Sequence, residues 1–495
     1  MGRVVIKCGA RFIWGVLCFF SLLAPCGGYN SPSSPPDTSP AIYYIGTDGK
    51  DSNNGSASSP FGTFSKAVGI LRAGDTLFIM SGTYRQSLLV SGKNGVSGSP
   101  ITIKAVNDGE VFVDGQNVRI PCEVGDGSSY VTIEGIRCGN SSGDVFYIHG
   151  SGTHHISVRR VTAFNAANNN NHVFSLWKSR HVTLEDVAAY GNGRQSFNIM
   201  GADYTVVRRC FGLWQTYAGN GGPVGFMQIY GSSNCIVENC VGVWRGTSNM
   251  EGQQGLVIWA NTYNRGANHN RIYGNVVMNY PGWAYGVSSA QNTITGNNFH
   301  HNASIDNGLG FQQTADDNLI VESLVVKGAT DGFNMNTDSS YLRNYRTYNQ
   351  GFVIKTARLR HSVFLQDVRA LGWSSAAYGF RGVANTYNIY YGYNRDYYMN
   401  AVKGKGEKTL NPGYDPGRFG KGAYLMIPAA LQGKGEGGAD IGAEVLYRYQ
   451  DGVLTNQPLW PWPMEDRIYR ETGVSVTWAA NGGLWKTLNG VYRAK

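Results

Sequence analysis

From Tyr130 onward the chain repeats a spacing: two apolar residues separated by two polar or small ones. The pairs are Ile133 and Ile136, Val158 and Val161, Leu184 and Val187, Val207 and Cys210, then Val237 and Cys240, Tyr273 and Val276, Ile294 and Asn297, Val321 and Leu324. Their first members lie 21 to 36 residues apart, a period that marks a solenoid. Each pair is followed by a second short segment of the form GFxI, among them VFYI, VFSL, SFNI, GLVI, LGFQQ, DGFNM, GFVI and YGFR. Side chains alternating in and out on such short strands, one coil per repeat, predict a parallel β-helix. No helical period lies between the segments, which disfavours a globular α/β fold.

The pattern also sets boundaries. Residues 1–28 have a basic start and an apolar run from Phe12 to Ala24, the form of a secretory signal and too short to span a bilayer. A Pro/Ser-rich linker covers 29–40 and the β-helix 41–400. At the start of the helix TDGKDSNNG is turn chemistry, and Phe64, Ala67, Val68 and Leu71 fall on one face of a capping helix. From 401 to 495 the coil pattern fails. That extension holds a Gly/Lys-rich loop, a strand in GADIGAEVLYRY and a short helix near Pro463, and is expected to pack on the solenoid or close its open end.

The bends carry Glu134, Arg159, Glu185, Arg208 and Glu238 in successive coils, next to Arg160, Asp186 and Arg209. Coils stack about 4.8 Å apart, so opposite charges should form an axial ladder. As exposed pairs they would contribute about 0–1 kcal/mol each and fix register more than they stabilise. Five cysteines follow the leader (Cys122, Cys138, Cys210, Cys235, Cys240), an odd number, with no CxxC spacing for zinc. Cys210 and Cys240 share a column, read as a stacked thiol pair before a disulfide.

Composition narrows the partners. Glycine at 67 of 495 residues favours turns and stacked strands over helix bundles. The formal net charge is +9, and removing Arg3, Lys7 and Arg11 with the leader keeps it positive, which suits an acidic polysaccharide. No basic recognition helix or lysine-rich block points to nucleic acid, and no later stretch is apolar enough for a membrane span. A monomer is expected.

If the Phe of each GFxI strand points inward, the residue three positions on points outward. That column contains His149, Trp177, Met200, Trp259, Asn336 and Lys355. We expect His149, Trp177, Trp259 and Asn336 to bind substrate, because tryptophans on a water-facing sheet suit sugar rings. The histidine pairs His154-His155 and His300-His301 make poor metal motifs, since adjacent strand residues face opposite sides.

The segment from Tyr43 to Tyr84, with its DSNNG turn, SPF-T, capping helix, GDT and GTY, together with GADIGAE near the end, resembles the pectate-lyase-like family of secreted right-handed parallel β-helix proteins. The resemblance implies an all-β, single-stranded right-handed parallel β-helix with an N-terminal capping helix and a loop-rich C-terminal extension. Members include polysaccharide lyases, hydrolases and epimerases, and fold alone does not choose among them. Gly351, Phe352 and Lys355 match the family's GFxxK motif. Lys355 is then the candidate base of a β-elimination, Arg358 and Arg360 the charges that lower its proton affinity or hold a uronate, and His361 the acid. The next coil reads SSAAYGF where calcium-binding members carry acidic residues. Calcium stays a candidate cofactor, with Asp316, Asp317, Asp331 and Asp338 nearby but no ordered ligand spacing. The same aspartates leave glycoside hydrolysis open, and a non-catalytic glycan-binding β-helix protein of the extracellular matrix or surface is the other alternative; the expected location is extracellular or periplasmic.

Overall fold

The computed structural model describes residues 39–219, 222–246, 253–260, 265–289 and 296–305, short segments between 309 and 413, and residues 425–478 and 485–487. Through them the chain winds as a right-handed parallel β-helix, laying strands in turn on three sheets of 13, 13 and 9 strands. One coil runs Ser129–Glu134 in the first sheet, Ile136–Gly139 in the second and Phe146–His149 in the third. The next repeats this with His154–Arg159, Thr162–Phe164 and Phe174–Trp177.

Alternation drives the winding. Inward residues form straight columns, and Phe146, Phe174 and Phe197 stack with ring centroids 5.3 Å apart, all fully buried. Burying each such ring stabilises the fold by roughly 1.5–3 kcal/mol, and truncating the middle one, Phe174→Ala, would cost about 3–5 kcal/mol. The N-terminal end is closed by α1 (Phe64–Ile70), which buries Phe64, Ala67 and Val68. Thr63 caps it by accepting from the Lys66 N–H, and the Asp51 carboxylate accepts from the Thr63 hydroxyl and from the Gly62 and Thr63 N–H groups. Those hydrogen bonds, the Thr63 hydroxyl first, hold the Asp51 carboxyl below its usual pKa.

Register corrects two of the spacing pairs. Val237 pairs with Ile272, not Tyr273, and Ile272 pairs with Phe299. The coil read at Ile294 and Asn297 therefore turns at Phe299 and Asn302. The reason is a polar column that hydropathy cannot reveal: below Cys240, the second position is filled by Asn275 and Asn302, both fully buried. Asn275 accepts from the Cys240 N–H at 2.8 Å and donates to Asn302 at 3.0 Å, so each amide is satisfied by its neighbours.

Between the first and second sheets the chain turns through one left-handed residue per coil: Gly135, Arg160, Asp186, Arg209, Asn239, Gly274 and His301, with φ from 48° to 80°. Beside these turns Lys104, Glu134, Arg159, Glu185, Arg208 and Glu238 are successive register partners. Arg159 and Arg208 lie 3.6 and 3.7 Å from Glu185, and Arg208 lies 2.7 Å from Glu238. The far end of this ladder is not exposed. The Arg208 and Glu238 side chains are 7% and 0% accessible, and Glu238 accepts from the Asp451 and Gly452 N–H groups of the tail. Breaking a buried pair costs several kcal/mol, so here the ladder stabilises as well as aligns. The five described cysteines are buried free thiols; the Cys210 N–H points at the Cys240 sulfur at 3.4 Å, and burial pushes Cys235 up to about 12.

The tail lies on the outward face of the second sheet. Phe211, Leu213, Val241, Val243, Val276 and Met278 project there and are covered by Leu425, Ile441, Val445, Leu459, Trp460 and Ile468. A helix, α2 (Glu465–Thr472), ends at Gly473 in the left-handed conformation that favours glycine. Its Arg467, 4% accessible, donates to the Ile136 carbonyl and the Thr162 hydroxyl at 2.7 Å and to the Arg160 carbonyl at 2.8 Å.

Candidate functional site

Among the described residues, no cover of apolar side chains like the tail's lies on the outward face of the third sheet. Strand pairing sets His149, Trp177, Met200, Tyr230 and Trp259 in one file along consecutive coils. Two residues earlier on the same strands runs a second file of Glu123, Tyr147, Ser175, Asn198 and Gln228. One file is mainly aromatic and the other carries hydroxyls, amides and a carboxylate. Their repeat is the strand spacing of about 4.8 Å.

At one end His149 Nε2 meets Glu123 Oε1 at 2.8 Å, and the Tyr147 ring stacks on the imidazole at 4.4 Å. Gly125 makes this geometry feasible, since a Cβ there would lie 2.5 Å from His149 Nε2. Trp177 is 41% exposed, with the Lys178 ammonium 4.8 Å from its ring centre. Further on, Trp259 Nε1 donates to Gln254 Oε1 at 3.3 Å, which fixes the indole orientation.

The edge where these strands begin is rich in polar groups. The Asp144 carboxylate accepts from the His172 N–H at 2.6 Å, and burial raises its pKa. Burial, then the charges of Asp144 and Glu123, push Tyr147 up to about 12. His172 is buried and neutral, its pKa lowered to about 3 by burial and then by Arg194; its Nδ1 has no hydrogen-bond partner among the described residues. The Arg194 guanidinium donates to the Pro223 carbonyl at 3.0 Å, the Gly222 carbonyl at 2.7 Å and the Asn170 side-chain oxygen. Gln195 donates to Pro223 O at 2.9 Å and so links this edge to the sheet. Chemically, the face offers a mainly aromatic line, with the half-buried Glu123 and Tyr147 beside it at one end, while Ser175, Asn198 and Gln228 of the second file are buried. Among the described residues no group of three or more His, Cys, Asp or Glu side chains could hold a metal ion.

Of the residues singled out from the sequence, His149, Trp177 and Trp259 stand in the one file. Arg358 and Arg360 are on the strand Ala357–Arg360, which pairs within the first sheet, not the third. Lys355, His361, Asn336 and the four aspartates lie outside the described residues. The histidine pairs differ from expectation. His154 and His155 bring their Nδ1 atoms to 2.7 Å, and His300 and His301 to 2.8 Å, because His155 and His301 are left-handed and turn both rings to one side. Sequence reasoning missed the polar file, although alternation predicts it at the position after each Phe. It missed Tyr230 because Met227, and not Phe226, pairs with Phe197, one residue out of phase with the GF letters.

Comparison with known proteins accords with this architecture. Residues 43–210 match the family model described as "Pel9A-like, right handed beta helix region". A Bacillus subtilis (strain 168) protein described as "Uncharacterized protein YwoF" is 31% identical over 90 residues, 18% of this chain; the match spans about a fifth (19%) of that protein's length. Among solved structures, pectate lyase Pel9A aligns over 90% of each chain at 16% identity with a TM-score of 0.40. The PL6 family polysaccharide lyase Pedsa3628 from Pseudopedobacter saltans aligns over 71% of this chain and 92% of its own, at 12% identity and a TM-score of 0.43.

Proposed function

We propose that this protein is exported, binds an acidic polysaccharide along the outward face of the third sheet, and cleaves it by β-elimination. The observation that carries this reading is the pair of outward files in strict register, from His149 to Trp259 and from Glu123 to Gln228. A polymer lying along the coil axis would meet the first file, in which Trp177 is exposed and His149, Met200, Tyr230 and Trp259 are half-buried. At one end it would also meet Glu123 and Tyr147 of the second file, whose Ser175, Asn198 and Gln228 are buried beneath. The match of residues 43–210 to a Pel9A-like β-helix region supports the polymer class, and the basic, then apolar start of the chain supports export. No described helix is long and apolar enough to cross a membrane.

For elimination, Lys355 takes the C5 proton of a uronate, the electron pair forms the C4–C5 double bond, and the C4–O4 bond breaks as His361 protonates the departing oxygen. Arg358 and Arg360 supply positive charge that lowers the lysine's proton affinity and steadies the carboxylate. Binding without cleavage is the second reading, favoured by the strand of Arg358 and Arg360 belonging to the first sheet.

Incubation with a panel of polyuronates tests both. Ultraviolet absorbance from unsaturated ends is the expected outcome, and Lys355→Ala should abolish it. New reducing ends without that absorbance would mean hydrolysis, binding alone would establish the second reading, and failure to bind any polysaccharide would overturn the proposal.

A further inference from the structure

We infer that Arg194 is the residue that reads negative charge on this face, a guanidinium prepared to take the carboxylate of a uronic acid unit. The inference rests on the proposal that the face binds a polysaccharide, and it names the group that would make the binding selective for an acidic one.

The argument starts from how arginines are balanced elsewhere in the molecule. Arg208 pairs with Glu238 and Asp451, Arg209 with Asp186 and Glu185, Arg467 with Asp108 and Glu471. Each buried cation there has carboxylates beside it. Arg194 is partly buried and among the described residues has carbonyl oxygens only, from Pro223, Gly222 and the Asn170 side chain. Burial works against its charge. A guanidinium has five N–H groups. The Nε proton and one proton on each terminal nitrogen are engaged, which leaves one N–H on each terminal nitrogen for a planar, two-pronged acceptor.

Position supports the same role. Arg194 directly precedes the strand Gln195–Met200, whose outward residues Asn198 and Met200 belong to the two files. Its guanidinium spans from Asn170 in the coil before to Gly222 and Pro223 in the coil after, so it is fixed along the polymer direction. Tyr230, in the coil after, is a member of the aromatic file. The three carbonyls hold the fork in place before any ligand arrives, which lowers the ordering cost of binding.

The test compares affinity for polygalacturonate with affinity for the same polymer after its carboxylates are reduced to alcohols, using the full-length protein. Wild type should prefer the acidic polymer by about tenfold or more, as a charge-assisted hydrogen bond would give. Arg194→Gln should bring that ratio to within about twofold of unity, and Arg194→Lys, which keeps charge but loses the fork, should give an intermediate ratio. A purely structural strut would lower both affinities together and leave the ratio unchanged, which would overturn the inference. Thermal unfolding of each variant is measured in parallel; if Arg194→Gln does not fold, the ratio for Arg194→Lys decides. Equal wild-type affinity for both polymers sinks this inference and leaves the polysaccharide face standing. Binding of neither polymer overturns this inference, and the polysaccharide face falls with it only if no other polysaccharide of the panel binds.

Discussion

The outward faces of the second and third sheets are built by the same repeat and end in opposite conditions. On the second sheet the outward files are apolar, Phe211, Val241 and Val276 in one and Leu213, Val243 and Met278 in the next, and the chain's own tail covers them. On the third sheet the corresponding positions are rings, hydroxyls and amides, with Trp177 open to solvent and Ser175, Asn198 and Gln228 buried. An apolar face of that extent needs a cover, whereas a mixed face can stay open for a ligand. The tail therefore marks which side of the solenoid serves stability.

The largest test of this contrast is Arg467→Ala. It removes the buried cation that ties α2 to Ile136, Arg160 and Thr162, and we expect a loss of about 3–5 kcal/mol by denaturant unfolding, together with faster proteolysis of the tail. Polysaccharide affinity of the remaining folded protein should not change. If affinity fell in parallel, the two faces would not be independent.

Acid should probe both faces through one histidine each. His172 sits at the edge of the open sheet, and His300 lies under the tail where Tyr449 approaches it; burial is the main cause that lowers each to about 3. The unfolded chain takes up these protons near pH 6.5 and the folded chain does not, so their contribution is complete above about 6.5 and declines as pH falls toward 3. Each can cost at most about 1.4 kcal/mol per pH unit in that window. Urea midpoints measured against pH should fall accordingly, and His300→Gln should flatten part of the slope. An unchanged slope would mean that His300 titrates normally.

Smaller effects follow on the open side. Trp177→Ala should weaken polysaccharide binding by about 0.5–1.5 kcal/mol, read by isothermal titration, while stability stays within about 0.5 kcal/mol. A large stability loss would make Trp177 a packing residue. Smallest of all, Arg159→Ala removes an exposed member of the charge ladder and should cost less than about 1 kcal/mol in denaturant melts, well below Glu238→Ala at the covered end.

Much of this was readable from the letters, because alternation has only two outcomes. Leu184 and Val187 bracket one bend, and Phe174 and Trp177 must then point to opposite sides. Reading failed where the backbone breaks the period or where polar groups satisfy one another. His155 and His301 adopt left-handed φ that returns adjacent side chains to one side, against the alternation rule. Asn275 and Asn302 occupy inward places because each amide hydrogen-bonds the coil beside it, a compensation that appears only once the coils are stacked. The balance of Arg194 is likewise a matter of neighbours 24 and 28 residues away.

The column Phe146, Phe174 and Phe197 has one further consequence. Since the coils along this column offer one another the same inward shape, duplicating one of them would move the end of the solenoid outward by about 4.8 Å and leave the cross-section untouched. The molecule is thus graduated like a ruler. The length of its outward files is counted in coils, and could be extended one mark at a time.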